Sequence, residues 1–354
     1  MTSKTSPRSP NGEPTDMTTS MRDAPSEQKP SGPARITGLL RLDSFSGLYL
    51  AAILVVFFSV LLPQTFATSS NIRVIAGSAA IGGILTLAVA VSMAAGTFDI
   101  SLAANMTFSV CLLGKLLTSG ALPWIPAVVL TIAVGAAIGA VNAVIITRLG
   151  VEPIIATLGM SSVLAALAFW VADGQTILLD GVGTSFTDAG QSMIGTVPIT
   201  VVYLAIVSIG LWYMLEHTPF GRYIYAIGSN RQAAKLAGIR VDRVQATSLM
   251  ITSALAALAG VVLTMQLGAA SFGAGAPYLL PAFAATFLGS TQIRPGRFNV
   301  VGTIVALYLL AISVKGLQLQ YPDLPWIKDL VEGSVLLVAV SITARAVRNR
   351  RSGR

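Results

Sequence analysis

The chain has 354 residues, 54% of them hydrophobic and only 11% charged, with a mean hydropathy of +0.75. Soluble domains carry roughly 25% charged residues, so this composition excludes an ordinary soluble enzyme, a disulfide scaffold and a disordered regulator. The net charge of +8 invites a nucleic-acid reading, but cationic loops kept in the cytoplasm are the simpler cause in a membrane protein.

Residues 1–40 are rich in Ser, Thr, Pro and Gly without a sustained apolar pattern, which predicts a disordered cytoplasmic tail. Apolar segments then follow at 46–62, 74–95, 100–118, 123–147, 153–172, 197–215, 247–267, 278–292, 298–315 and 327–344. The uncharged stretch Val244–Ile293 is too long for one span, and Gly268–Pro277 splits it. The predicted fold is all-α: a polytopic membrane helix bundle of about ten transmembrane helices at roughly 20 residues each. The helical membrane domain fills 41–345, and a basic tail occupies 346–354.

The cations test this layout. With the N-terminus inside, the tails and inner loops hold 19 of the 23 Lys and Arg residues. The other four are Arg73, Lys115, Lys315 and Lys328. Such a positive-inside bias places both termini in the cytoplasm. The run Arg345–Arg351 then meets anionic lipid at the inner surface, and nucleic acid drops out as a partner. One cysteine, Cys111, and one histidine, His217, cannot form a disulfide or a metal cluster within the chain. His217 is expected in solvent or lipid headgroups, and Arg294 and Arg297 as inner-surface anchors. Gly135 and Gly139 have small-xxx-small spacing, which is read as tight packing inside one bundle.

The most informative segment is polar. Residues 216–246 carry five cations and so face the cytoplasm. Ser229 followed by Gln232 fits a capping box, Gln232–Ala237 are good helix formers, and Gly238 is placed to end the helix in the left-handed conformation. A helix of about two turns is too short to stand alone in water, so it must dock on something. Ala233, Ala234 and Ala237 give it a small-residue face open to close approach. A loop packing only on its own bundle is the other reading.

Here the sequence resembles the ribose-type permease subunits of bacterial ABC importers. Their pattern T-x-F-G-R-x-x-x-A-I-G-x-N-x-x-A-A-x-x-x-G-I is matched by Thr218, Phe220, Gly221, Arg222, Ala226, Ile227, Gly228, Asn230, Ala233, Ala234, Gly238 and Ile239. Glu152–Gly159 is similar to the family's P-F-I-x-T-L-G, Asp173–Ile177 to its G-G-x-P-I turn, and Trp326–Val340 to its ending. The resemblance implies that this loop holds a coupling helix seated in a groove of the ATPase subunit. Its candidate residues are Gly221, Arg222, Gly228, Asn230, Ala233, Ala234, Ala237 and Gly238. It further implies a second permease copy or paralogue, an extracytoplasmic substrate-binding protein, and a place in the bacterial inner membrane. No Gly-x-x-x-x-Gly-Lys-Ser/Thr loop occurs, so ATP and magnesium are expected on the partner ATPase, with no cofactor in this chain and no catalysis by it.

Gly96–Ser101 is similar to the family's G-I-D-L-S at Asp99 and Ser101. An acid near a span end prefers a cavity or a partner, which makes Asp99 and Ser101 candidates for the translocation pathway or a gate. Equally, both are suited to capping the helix that follows. Asn105 and Asn142 are candidates for the pathway or for hydrogen bonds between helices. Leu279–Ala285 departs from the family's E-L-x-A-I-A-A, which bears on the solute. The main expectation is a sugar importer permease. The alternatives are an amino-acid importer permease or a secondary transporter, the latter wanting more ionisable groups within its spans. Lys328 and Glu332, four apart, are expected to form a helix-stabilising pair.

Overall fold

Long uncharged runs fold as helices because lipid offers the backbone no other hydrogen-bond partner. The computed structural model describes residues 42–294 and 296–352, with side chains over 47–294 and 296–341. The tail expected at 1–40 and the side chains of 346–354 lie outside the described residues. The chain runs through α1 (Leu42–Leu61), α2 (Ser69–Ala94), α3 (Ser101–Thr118), α4 (Trp124–Thr147) and α5 (Pro153–Val171). An insert of β1 (Ile177–Leu178), α6 (Thr184–Gln191), β2 (Met193–Ile194) and β3 (Val197–Pro198) precedes α7 (Ile199–His217). Two short helices, α8 (Pro219–Ser229) and α9 (Arg231–Leu236), lead into α10 (Val241–Leu267) and β4 (Ala269–Ala270). The chain ends with α11 (Ala276–Gly289), α12 (Val300–Gln320) and α13 (Ile327–Ser352).

Seven helices among the described residues are individually long and apolar enough to cross a bilayer: α2, α3, α4, α5, α7, α10 and α12. The other three expected segments are helical as well, but differ from the expectation. Helix α11 has only 14 residues and contains Pro281, so it rises about 21 Å against a hydrocarbon core of about 30 Å. The apolar part of α1 from Gly47 is also short. Helix α13 continues unbroken past residue 344 to Ser352.

Helices α2 and α10 are apolar on nearly every side and are accordingly the most enclosed of the spans. Each belongs to one of two sets of four helices, α2–α5 and α10–α13, that share one arrangement. Helix α3 packs on α10 and α5 packs on α3, while α11 packs on α2 and α13 packs on α11. In the same way α4 lies along α10 and α12 along α2. Each central helix is therefore gripped by the opposite set. At the α4–α10 crossing a Cβ on Gly135 would strike Ala257, and one on Gly139 the Leu249 carbonyl, so the small-xxx-small pair serves packing within the chain.

The insert between α5 and α7 sits at the end of the bundle where α10 finishes. Strand β1 pairs antiparallel with β4, Ile177 opposite Ala270, and Phe186 of α6 is buried among Leu113, Leu179 and Met265. Hydropathy carries no sign of this small structure, because residues 173–198 are polar and Gly-rich. Asp173 and Gly174 both adopt positive φ to open the turn, and Asp173 accepts a hydrogen bond from Lys115 at 3.3 Å.

Candidate functional site

The opposite end of α10 carries α8 and α9. Thr218 ends α7 and caps α8, its Oγ1 accepting from the Gly221 amide at 3.3 Å, while Pro219 occupies the first turn, where no amide is needed. Gly221, Ile224 and Ile227 form the buried stripe of α8. Gly221 lies against the backbone of Leu215 with no room for a Cβ, which sets the sharp α7–α8 corner. Arg222 is on the exposed side.

Asn230 is the pivot of the segment. Its amide ends α8 on the Ala226 carbonyl at 3.0 Å, and its Oδ1 caps α9 by accepting from the Ala233 amide at 3.0 Å. The cap expected at Ser229 is therefore one residue later, because Ser229 is still helical in α8 and only Asn230 has the extended backbone a cap needs. Gly238 ends α9 at φ +81°. The Ile239 amide donates to the Ala234 carbonyl and the Gly238 amide to the Lys235 carbonyl, both at 3.1 Å, which is the Schellman arrangement.

The alanines divide. Ala234 is only 4% exposed and packs with Ile227 and Val241, so it holds α9 to the chain and is not part of an open face, contrary to the expectation. Its i+3 position from Arg231 and i+4 from Asn230 turn it inward once α9 starts at Arg231. Ala233 and Ala237 remain exposed, and beside them Leu236 is 90% exposed. An exposed leucine on a polar loop is the apolar projection that the small-residue pattern alone did not reveal.

Gly228, at the end of α8, touches the end of α2. A Cβ there would strike the Ala94 carbonyl and approach the Gly96 amide. Gly96 itself has φ +73° and opens the turn that leads to Asp99.

Asp99, Ser101 and Asn142 are brought together. Asp99 Oδ1 accepts from the Ser101 amide at 2.9 Å and from its hydroxyl at 2.6 Å, which meets one of the orphan donors at the start of α3. Asn142 of α4 donates to the same hydroxyl at 2.9 Å. Asn105 makes a separate bridge, donating to Ser253 O of α10 at 3.1 Å and Gly135 O of α4 at 3.4 Å. All four side chains are buried. The interhelix reading holds for Asn105 and Asn142, whereas the cap position of α3 is Ile100, which makes no side-chain cap hydrogen bond; Asp99 instead holds the amide and hydroxyl of Ser101, the first helical residue. Asp99 Oδ2 and Asn142 Oδ1 have no hydrogen-bond partner among the described residues.

Sequence reasoning missed a charged cluster beside α8. Glu216 pairs with Arg294 and, at 3.7 Å, with Arg297. The Arg297 guanidinium lies 3.6 Å over the Tyr225 ring, and the Tyr225 hydroxyl donates to Phe298 O at 2.8 Å. Burial pushes the Tyr225 hydroxyl pKa up, and Arg297 opposes the shift. These arginines tie the α11–α12 turn to α7 and α8, a role that their spacing alone could not separate from lipid anchoring. His217 packs on Trp212 and Tyr213, ring centroids 4.5 and 5.5 Å away.

The chain is 33% identical over 300 residues to a ribose import permease protein of Bacillus subtilis, covering 85% of this chain and 91% of that one. It is 26% identical over 325 residues to a D-allose transport system permease protein of Escherichia coli, covering 92% and 97%. A fructose import permease protein of Rhizobium meliloti is 29% identical over 291 residues, covering 80% and 81%. No solved structure matches. The family model described as branched-chain amino acid transport system / permease component matches residues 71–340, and the chain therefore belongs to this family of transport permeases, as a multi-pass protein of the inner membrane.

Proposed function

We propose that this chain is the permease subunit of an ATP-binding cassette importer for a sugar, working with a separate ATPase, a substrate-binding protein and a second permease copy or paralogue. The observation that carries the reading is the segment α8–α9. It is held rigidly to the bundle through Ala234 and Gly228, yet it offers Leu236, Ala233 and Ala237 outward. A short helix with that combination is suited to dock on a partner and pass its movement into α2. From Gly228 the route runs to Gly96 and on to the Asp99–Ser101–Asn142 network, which we assign to the gate. Relatives named for ribose, allose and fructose support a monosaccharide over the amino acid in the family's description.

The ten-span, N-in/C-in arrangement belongs to the same reading, supported by 19 of 23 cations falling on one side. ATP and magnesium are assigned to the partner, and the energy for switching access comes from the different affinities of the two states for the docked ATPase. The test is a tagged purification from the native host in mild detergent. Recovery of a P-loop ATPase that is lost on Leu236→Asp supports the proposal; a chain that purifies alone after gentle cross-linking overturns it in favour of a secondary transporter.

A further inference from the structure

Residues 216–246 hold five cations against two acids, Glu216 and Asp242. Both acids are engaged, Glu216 with Arg294 and Arg297, and Asp242 with Arg231 at 3.3 Å. Arg240 and Arg243, at the start of α10, are exposed and form no ion pair with any described residue. Together with Phe220, Tyr223 and Ile239 they line a pocket of about 340 Å³ between α8 and α10. We propose that this pocket holds the headgroup of an anionic phospholipid of the inner leaflet, its phosphodiester clamped by the two guanidinium groups.

Depth in the membrane favours this occupant. Helix α10 carries no charge from Val244 to its end at Leu267, a rise of about 35 Å. The hydrocarbon core takes about 30 Å of that length. Arg240 and Arg243 therefore fall in the headgroup layer, at the end that the charge asymmetry of the sequence turns to the cytoplasm. The pocket also continues toward the lipid. Arg243, Thr247 and Met250 follow one another at i, i+4 and i+7 on the exposed side of α10, and Met250 is 40% exposed. A headgroup on the arginines leaves its glycerol and first acyl carbons to run past Thr247 onto Met250.

The chemistry of the wall selects an anion. Each guanidinium has a planar fork of N–H groups that matches two phosphate oxygens. The Tyr223 hydroxyl, which makes no hydrogen bond with any described residue, supplies a further donor. No carboxylate lines the pocket, so a zwitterionic headgroup would have to bring its own cation beside two arginines. Basic pockets between spanning helices on the cytoplasmic side are suited to anionic headgroups in general. The same wall includes Gly238 and Ile239, which join α9 to α10. A bound headgroup braces that joint. On the importer reading it thereby makes coupling to the ATPase depend on anionic lipid; the lipid site itself stands apart from that reading.

Native mass spectrometry of the full-length chain, with whatever subunits co-purify, tests the proposal using phosphatidylglycerol against phosphatidylcholine. The wild type should retain phosphatidylglycerol at a concentration about tenfold lower, since each arginine near an anionic surface contributes on the order of a fewfold. Arg240→Gln combined with Arg243→Gln should abolish the preference without lowering the amount of folded chain, because both side chains are exposed. Arg148→Gln, at an exposed cation that ends α4 outside the pocket, should keep it. A preference unchanged in the double variant overturns the site, and so does an equal loss in Arg148→Gln, which marks diffuse attraction. Displacement of the lipid by millimolar inorganic phosphate overturns it in favour of a soluble anion. Loss of the ATPase from the double variant with lipid retention intact overturns it in favour of an acidic side chain of that partner. A preference that persists in a chain found to have no ATPase partner removes the coupling consequence and the importer reading while leaving the lipid site in place.

Discussion

Gly228 rests on the carbonyl of Ala94 so closely that no side chain fits between them. The contact joins the last turn of α8 to Ala94, the last residue of α2, and two residues further on Gly96 takes a positive φ. This contact is made through backbone alone, so a displacement of the end of α8 would bear directly on the end of α2.

Gly228→Ala is expected to reduce uptake by at least about tenfold while the ATPase still co-purifies, since interiors transmit such overpacking as backbone shifts. Uptake and ATPase assays in proteoliposomes check this. Gly159→Ala in α5, where nothing lies within 4 Å of the added carbon, should match wild type.

Leu236 and Ala234 separate docking from folding. Leu236→Asp places a charge on a side chain that is already in solvent, so membrane level and melting temperature should hold while ATPase binding falls by at least about tenfold. Ala234→Glu buries a charge against Ile227 and Val241, which costs several kcal/mol, and should lower the amount of folded chain. Equal melting temperatures for the two variants would contradict the inward placement of Ala234.

Ser101→Ala should destabilise the chain by about 2–3 kcal/mol, because it strips a donor from Asp99 and an acceptor from Asn142 at once in a buried site. Ser101→Thr should recover most of the loss. Thermal unfolding in detergent measures both.

Glu216→Ala should release Arg294 and Arg297 and cost about 1 kcal/mol, a modest figure because both arginines are partly solvated. The wild-type margin over this variant should shrink in high salt. A margin independent of salt would point to the Arg297–Tyr225 contact as the main tie.

Much of this architecture was legible as sequence. Uncharged runs mark each long span because lipid leaves the backbone one solution, and Gly238 announces a left-handed helix end by being the residue that takes it without strain. What stayed hidden depends on phase or on distance. A one-residue shift of the α9 cap, from Ser229 to Asn230, rotates Ala234 from the surface to the core. Glu332 forms the helical pair with Lys328 that its spacing announces, but its burial to 5% exposure is set by neighbouring helices that the spacing does not name. Residues 173–198 fold because Phe186 finds Leu113 and Met265, partners that no local pattern names.

The grip of each central helix by the opposite set has a consequence for synthesis. Thr86 of α2 meets Thr286 of α11 across 200 residues, which at about 5–20 residues per second is a wait of roughly 10–40 s. During that interval α2 must sit in the bilayer without its final neighbours. It is equipped to do so: Thr86 donates to the Gly82 carbonyl at 2.7 Å and Ser78 to the Val74 carbonyl at 2.7 Å, so these hydroxyls are satisfied within the helix. The most enclosed span of the finished protein is thereby one that lipid alone can shelter until the second half of the chain arrives.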